Sequence, residues 1–162
     1  MDPASRARAL SALPWYGIAA LVVAADRASK LAMLGWLRPG DAVELTGFLN
    51  LVLVFNRGAA FSFLAAAPGW QTPLFSAIAL VAAGVVSWML WRRPGRRLLC
   101  AGLALVLGGA LGNLWDRVAW GAVADFVDVH AYGWHWPAFN VADSAITVGA
   151  ALLIAEGFLR RD

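Results

Sequence analysis

The sequence has a single cysteine, Cys100, inside an apolar run, so it offers neither a disulfide framework nor a CxxC pair. It has two histidines, His130 and His135, without HExxH spacing and with no cysteine beside them. A zinc site could only be improvised from these and Asp128, so no metal or other cofactor is expected. There is no GxSxG nucleophile elbow. "GGALG" at 108–112 lacks the lysine of a phosphate loop. Charge is scarce as well. Only 14% of the 162 residues are charged, whereas 61% are hydrophobic, and mean hydropathy is +0.68. That leaves too little polar surface for a water-soluble globule. The formal charge of +3 does not mark a nucleic-acid binder, because the basic residues are not spread over a polar face.

What the chain does have is four long apolar runs. They predict membrane-spanning helices at about 12–33, 70–91, 98–116 and 141–159, each close to the ~20 residues a bilayer requires. Arg6 and Arg8 give the first run the basic start of a signal peptide. Three more spans follow, however, and Asp26 and Lys30 continue the same helix, so it reads as a retained span. Pro14 and Pro73 fall in the first turns of their runs, where a missing N–H costs little. "RRPGRR" at 92–97 is a charged turn between spans two and three.

Basic residues set the orientation. Arg6, Arg8, Arg92, Arg93, Arg96, Arg97, Arg160 and Arg161 all fall at one membrane face, which the positive-inside rule makes cytoplasmic, with both termini there. The opposite, extracytoplasmic face receives 35–69 and 117–140, which carry only Arg38, Arg57 and Arg117. Within the first of these, Val43–Ala66 shows a weak period-two pattern in β-prone residues, with "NRG" as a turn and "AAFSFL" as a second short strand. The expected architecture is one mainly α, integral-membrane domain over 1–162. It has four transmembrane helices, a small extracytoplasmic β-sheet, and an outer loop between helices three and four. Trp15, Trp70, Trp88, Trp91, Trp115, Trp134 and Trp136 fall at span ends or in the outer loop, as an interfacial belt should.

Carboxylates near hydrocarbon are costly and need a reason. Asp26 and Lys30, at i and i+4, read as a self-paired unit. Asn113, Asp116 and Arg117 are close enough on one helix to form a structural knot. Glu156 can reach the interface or meet Arg160. Asp125 in "VADF" and Asp143 in "FNVAD" are harder to dismiss. If they meet, like charge lets the pair share a proton, and one carboxyl can serve as base and the other as acid. An aspartate at a helix start is often simply a cap. On the residues alone both readings stand. Two other functions also stay open: a small proton-coupled transporter, since buried acids relay protons, and a non-catalytic membrane assembly protein whose polar groups lock helices together.

Four blocks, in order, narrow the choice: "DRASK" at 26–30, "NRGAAFSFL" at 56–64, "GGALGNLWDRVAWGAVADFVDV" at 108–129 and "WPAFNVADSAITVGA" at 136–150. Together they strongly resemble the lipoprotein signal peptidase family, or signal peptidase II, over nearly the whole chain. The resemblance implies an aspartyl endopeptidase of the bacterial inner membrane. It would cut prolipoprotein precursors just before a cysteine already carrying diacylglycerol, and would work as a monomer without a cofactor. Carried over by motif, the catalytic pair is Asp125 and Asp143. The supporting or substrate-binding residues are Asn56, Arg57, Asn113, Asp116, Arg117, Asn140, Asp26 and Lys30. It also implies sensitivity to cyclic lipopeptide inhibitors. The family pattern more often has glutamine where Arg27 stands and a bulkier residue where Ala124 stands; neither position is one of the implied acid–base pair. The small sheet would hold the extended peptide by backbone pairing.

Overall fold

A computed structural model describes residues 2–58 and 69–159. Helix α1 runs from Pro3 to Trp36, α2 from Gln71 to Arg92, α3 from Arg97 to Trp120 and α4 from Val141 to Leu159. All four are long and apolar enough to cross a membrane. Asp2 caps α1 by accepting the Ser5 N–H at 2.9 Å, with proline following at the first helical position. At 34 residues, α1 is roughly 50 Å long, well beyond a ~30 Å hydrocarbon core. Trp15 Nε1 donates to the Pro94 carbonyl at 3.1 Å, which sets Trp15 level with the α2–α3 turn. The helix before Trp15 therefore extends past that turn.

The outer segments form one antiparallel sheet in the order β1-β2-β3-β4: Ala42–Thr46, Leu49–Asn56, Val123–Ala131 and Trp134–His135. It is assembled from both outer segments rather than from the first alone. Strand β3 lies where the sequence reads as loop. Its apolar residues occupy both parities, and its first five positions are all buried or half-buried, so no clean alternation marks it. Gly121, at φ +72°, ends α3 in the left-handed region and turns the chain into β3. Tyr132 and Gly133, at φ 51° and 80°, make the tight β3–β4 hairpin. "NRG" is a turn: the Gly58 N–H reaches Asn56 Oδ1 at 2.9 Å. The strand expected at "AAFSFL" and the partner expected for Glu156 at Arg160 lie outside the described residues. Glu156 pairs with Arg96 at 2.7 Å.

Helix α3 is the hub against which α1, α2 and α4 pack, and α2 and α4 pack on it far more than on each other. Its glycines allow this. A Cβ at Gly108 would lie 2.7 Å from the Ala19 carbonyl of α1, and one at Gly109 would collide with the Ala142 carbonyl of α4.

One buried ionic cluster joins these elements. Lys30 Nζ lies 2.7 Å from Asp26 Oδ2 and 2.7 Å from Asp116 Oδ2, and all three side chains are fully buried. Asp26 Oδ1 accepts the Ala142 N–H at 2.9 Å, and Asp116 Oδ2 accepts the Ala124 N–H at 3.2 Å. Arg27, 3.1 Å from Asp116, supplies the second positive charge and lies over the rings of Trp115 and Trp120. Asp26 and Lys30 are thus two members of a larger set. The knot expected between Asp116 and Arg117 does not form. Adjacent helix residues face different directions: Asp116 faces α1, whereas Arg117 donates to the Asn113 and Gly58 carbonyls, each at 3.3 Å.

Replacing Lys30 with methionine keeps the volume and leaves two carboxylates buried without their shared cation. Breaking such a cluster costs about 3–5 kcal/mol. The expected outcome is a sharp fall in folded yield and melting temperature in detergent. Thermal denaturation against the wild type, with retention on a sizing column as second readout, checks it.

Candidate active site

Asp125 is the third residue of β3, opposite Val54 of β2. Asp143 lies in the first turn of α4. Asp143 takes part in capping its helix. Asn140 Oδ1 accepts the Asp143 N–H at 2.9 Å, while Asp143 Oδ2 accepts the Asn140 N–H at 3.3 Å, a reciprocal box at the helix start. The other oxygen, Oδ1, accepts Asn113 Nδ2 at 2.8 Å.

Two asparagines join the carboxylates. Asn140 Nδ2 donates to Asp125 Oδ1 at 2.7 Å, and its Oδ1 is occupied by the Asp143 N–H, so its amide has one orientation. Asn113 is oriented in the same way. Its Oδ1 accepts Lys30 Nζ at 3.2 Å, which turns its Nδ2 toward Asp143. Asn56, the last residue of β2, donates to Asp125 Oδ2 at 3.2 Å. The buried cluster is thereby wired, through Asn113, to the carboxylate pair.

Burial pushes the Asp125 carboxyl up from its ordinary range to about 7, and the negative charge of Asp143 adds to the rise. The donors on Asn56 and Asn140 oppose it only partly.

The pair lies at a cavity of about 690 Å³ bounded by α2, α3, α4 and the segment before α4. Asn56, Asn113, Arg117, Asp125 and Asp143 are among its polar lining; the rest is mostly apolar, with Ile78, Ala82, Val106 and Ile146. A shallower apolar pocket along α2 shares Ile78 and Ala82 with it. Arg117 spans the cavity wall, with its guanidinium over the Phe75 ring at 5.6 Å. Its buried Nε has no hydrogen-bond partner among the described residues.

Of the residues singled out from sequence, Asn56, Asn113, Arg117, Asn140, Asp125 and Asp143 meet at this one place. Asp26, Lys30 and Asp116 stand one layer behind. Arg57 is exposed and makes no ion pair or hydrogen bond among the described residues. Asp128, His130 and His135 do come together, but among the described residues no three such side chains surround a common point fit for an ion. Sequence reasoning missed Arg27 as an ionic partner and Asn50 as a partner of Asp128. Pairing across β2 and β3 creates the second, and it becomes visible only with the register known.

The family model for signal peptidase (SPase) II matches residues 18–159. A lipoprotein signal peptidase of Paraburkholderia phytofirmans is 53% identical over 150 residues, covering 93% of this chain and 87% of that protein. One from Burkholderia vietnamiensis is 52% identical over 158 residues, covering 98% and 93%. A solved bacterial membrane enzyme superposes with a TM-score of 0.81 at 29% identity, covering 92% of this chain and 90% of the other. These matches cover all four spans and the carboxylate pair between them. The chain therefore belongs to the signal peptidase II family: it is an aspartic-type peptide-bond hydrolase of the bacterial inner membrane, multi-pass, that cleaves signal peptides from lipoprotein precursors.

Proposed function

We propose that Asp125 and Asp143 are the catalytic dyad, and that the bond they cut lies just before a diacylglyceryl-modified cysteine. The observation that carries this reading is the pair of asparagine bridges. Asn113 and Asn140 hold both carboxylates in a cavity that is otherwise mostly apolar. In this reading the dyad shares one proton, and Asp125, whose burial favours the protonated form, is the acid. Asp143 takes a proton from water, the water attacks the scissile carbonyl, and Asp125 passes its proton to the departing nitrogen. Asn56 and Asn140 orient the acid, and Asn113 orients the base. Asp26, Lys30 and Asp116 act through Asn113. Arg117, through the Nε–H that has no partner among the described residues, and the exposed Arg57 can meet carbonyls of the bound peptide.

The apolar part of the cavity suits a substrate that arrives within the bilayer. Helices α2 and α4 flank α3 and leave that side open for a signal helix and the acyl chains of the modified cysteine. The arginines at 92, 93, 96 and 97 support cytoplasmic termini, with the dyad near the outer membrane face. A proton-coupled transporter or a purely structural role has no use for an oriented pair at a peptide-sized cavity.

Asp125→Asn and Asp143→Asn each keep the side-chain shape and remove the acid. Cleavage of a lipid-modified prolipoprotein by purified protein should fall by at least about 10²–10⁴-fold in either variant. Melting temperature should hold. Near-native turnover per folded molecule in either one would remove the dyad assignment, and proton-driven uptake without cleavage would favour the transporter.

Turnover should also fall as pH rises through about 7, because Asp125 then loses the proton it donates. The same raised value makes its contribution to folding greatest below the ordinary carboxyl range near 3.8, and lost by about 7. A rate–pH profile at saturating substrate reads the first effect. A basic limb that stays flat to pH 9 contradicts the proton's place.

A cyclic lipophilic peptide with a hydroxyl placed as the attacking water should bind between Asp125 and Asp143, beside Asn56 and Arg57. Its effect should be competitive, raising the apparent KM of the lipidated substrate without lowering kcat. Inhibition unaffected by excess substrate counts against that site.

A further inference from the structure

A second polar cluster occupies the opposite face of β3 from Asp125. The carboxylate of Asp128 is largely buried. It accepts Asn50 Nδ2 from β2 at 2.9 Å and lies 2.9 Å and 3.0 Å from His135 Nδ1 of β4. A carboxylate only accepts here, so Nδ1 carries its hydrogen and donates. His130 stacks on His135 with ring centroids 4.9 Å apart, and its Nε2 meets Asn50 Oδ1 at 3.2 Å. None of these side chains touches the dyad.

The segment they hold does. After His135 the chain runs back along β3 to α4, and Trp136, Pro137, Ala138 and Phe139 form one wall of the cavity. Backbone support there is sparse. The Trp136 N–H reaches the Val129 carbonyl at 2.7 Å, and Phe139 bridges Val127. Pro137 has no N–H to give, and the Ala138 N–H is not in the ladder. The far end is held by Phe139 and then Asn140. The near end is held by the two-residue strand β4, by the Trp136 N–H bond and the Trp134–Trp136 ring contact, and by the side-chain bond of His135 to Asp128.

We propose that Asp128 and His135 are positioning residues for signal-peptide cleavage, forming a latch that sets the position of the Trp136–Phe139 wall against the bound peptide. This rests on the peptidase reading of the cavity. Freeing the near end widens the cavity where substrate lies. The dyad keeps its geometry, because Asn140 and Asn113 hold it independently. The latch therefore acts on substrate binding rather than on the chemical step.

The test uses the purified full chain in detergent micelles, a diacylglyceryl-modified prolipoprotein, and separate measurement of kcat and KM. His135→Phe keeps a ring to stack on His130 and loses the donor. His135→Asn places an amide N–H near the position of Nδ1–H. His135→Ala is the second truncation, and the side chain is 55% exposed, so all three variants should fold. The phenylalanine and alanine variants should raise KM roughly tenfold, the size of one charge-assisted hydrogen bond, with kcat within about threefold. The asparagine variant should bring KM back to within about threefold of wild type. An unchanged KM in both truncations, a fall in kcat alone, or no recovery with asparagine overturns the latch. Failure of the wild type to cleave, or activity in Asp125→Asn, strikes instead at the peptidase reading of the dyad.

Discussion

The cation of Lys30, held between Asp26 and Asp116, is the contact on which the rest of the molecule depends. It is the chain's single lysine, and it sits where no water reaches. A lone ammonium there would be prohibitively costly, as would either carboxylate. Together they are tolerable, and the two aspartates also accept donors from α4, β3 and α1. Asp26 takes the first-turn N–H of α4, and Asp116 takes an N–H of β3 and the guanidinium of Arg27. The cluster thus ties α1, α3, α4 and the sheet at one level. Hydrophobic attraction does not favour one helix arrangement over another within lipid, where the surroundings are as apolar as the side chains. Directional polar contacts and close glycine approach supply the specificity instead.

The carboxylate pair is built outward from that cluster. Lys30 turns the amide of Asn113, Asn113 holds Asp143, Asp143 and Asn140 cap one another, and Asn140 holds Asp125. Each link has one orientation, because each amide has its oxygen occupied on one side. A substitution in the buried cluster therefore acts on the site through geometry, and at Lys30 also through its positive charge, which favours the ionised form of Asp125. The latch on the other face of β3 follows the same plan: a buried carboxylate, an asparagine and a third polar group fix a segment that the backbone ladder alone leaves loose.

Much of this was legible in the residues. Runs of apolar residues without charge mark the four spans, since a helix must satisfy its own backbone in lipid and needs a set length to cross. Asp125 and Asp143 stood out because each lies among apolar neighbours without a cation nearby in sequence. The sheet was half legible. Leu49–Asn56 has β-prone residues, whereas Val123–Ala131 hides its register because both of its faces are covered. Asp116 was assigned to Arg117, its neighbour in sequence, when its partner lies on another helix, 86 residues earlier at Lys30.

The sequence by itself determined the number of the spans, the side on which the arginines gather, and the presence of carboxylates that hydrocarbon would otherwise reject. These are local properties, since each follows from how a short stretch of chain partitions between lipid and water. Only the tertiary structure decided which polar group meets which. Lys30 could have served Asp26 alone, Asn140 could have been a simple cap, and His135 a surface residue. Their partners come from α3 and β3, brought in by helix packing around the α3 glycines and by strand register. Those pairings are long-range, and no spacing along the chain encodes them.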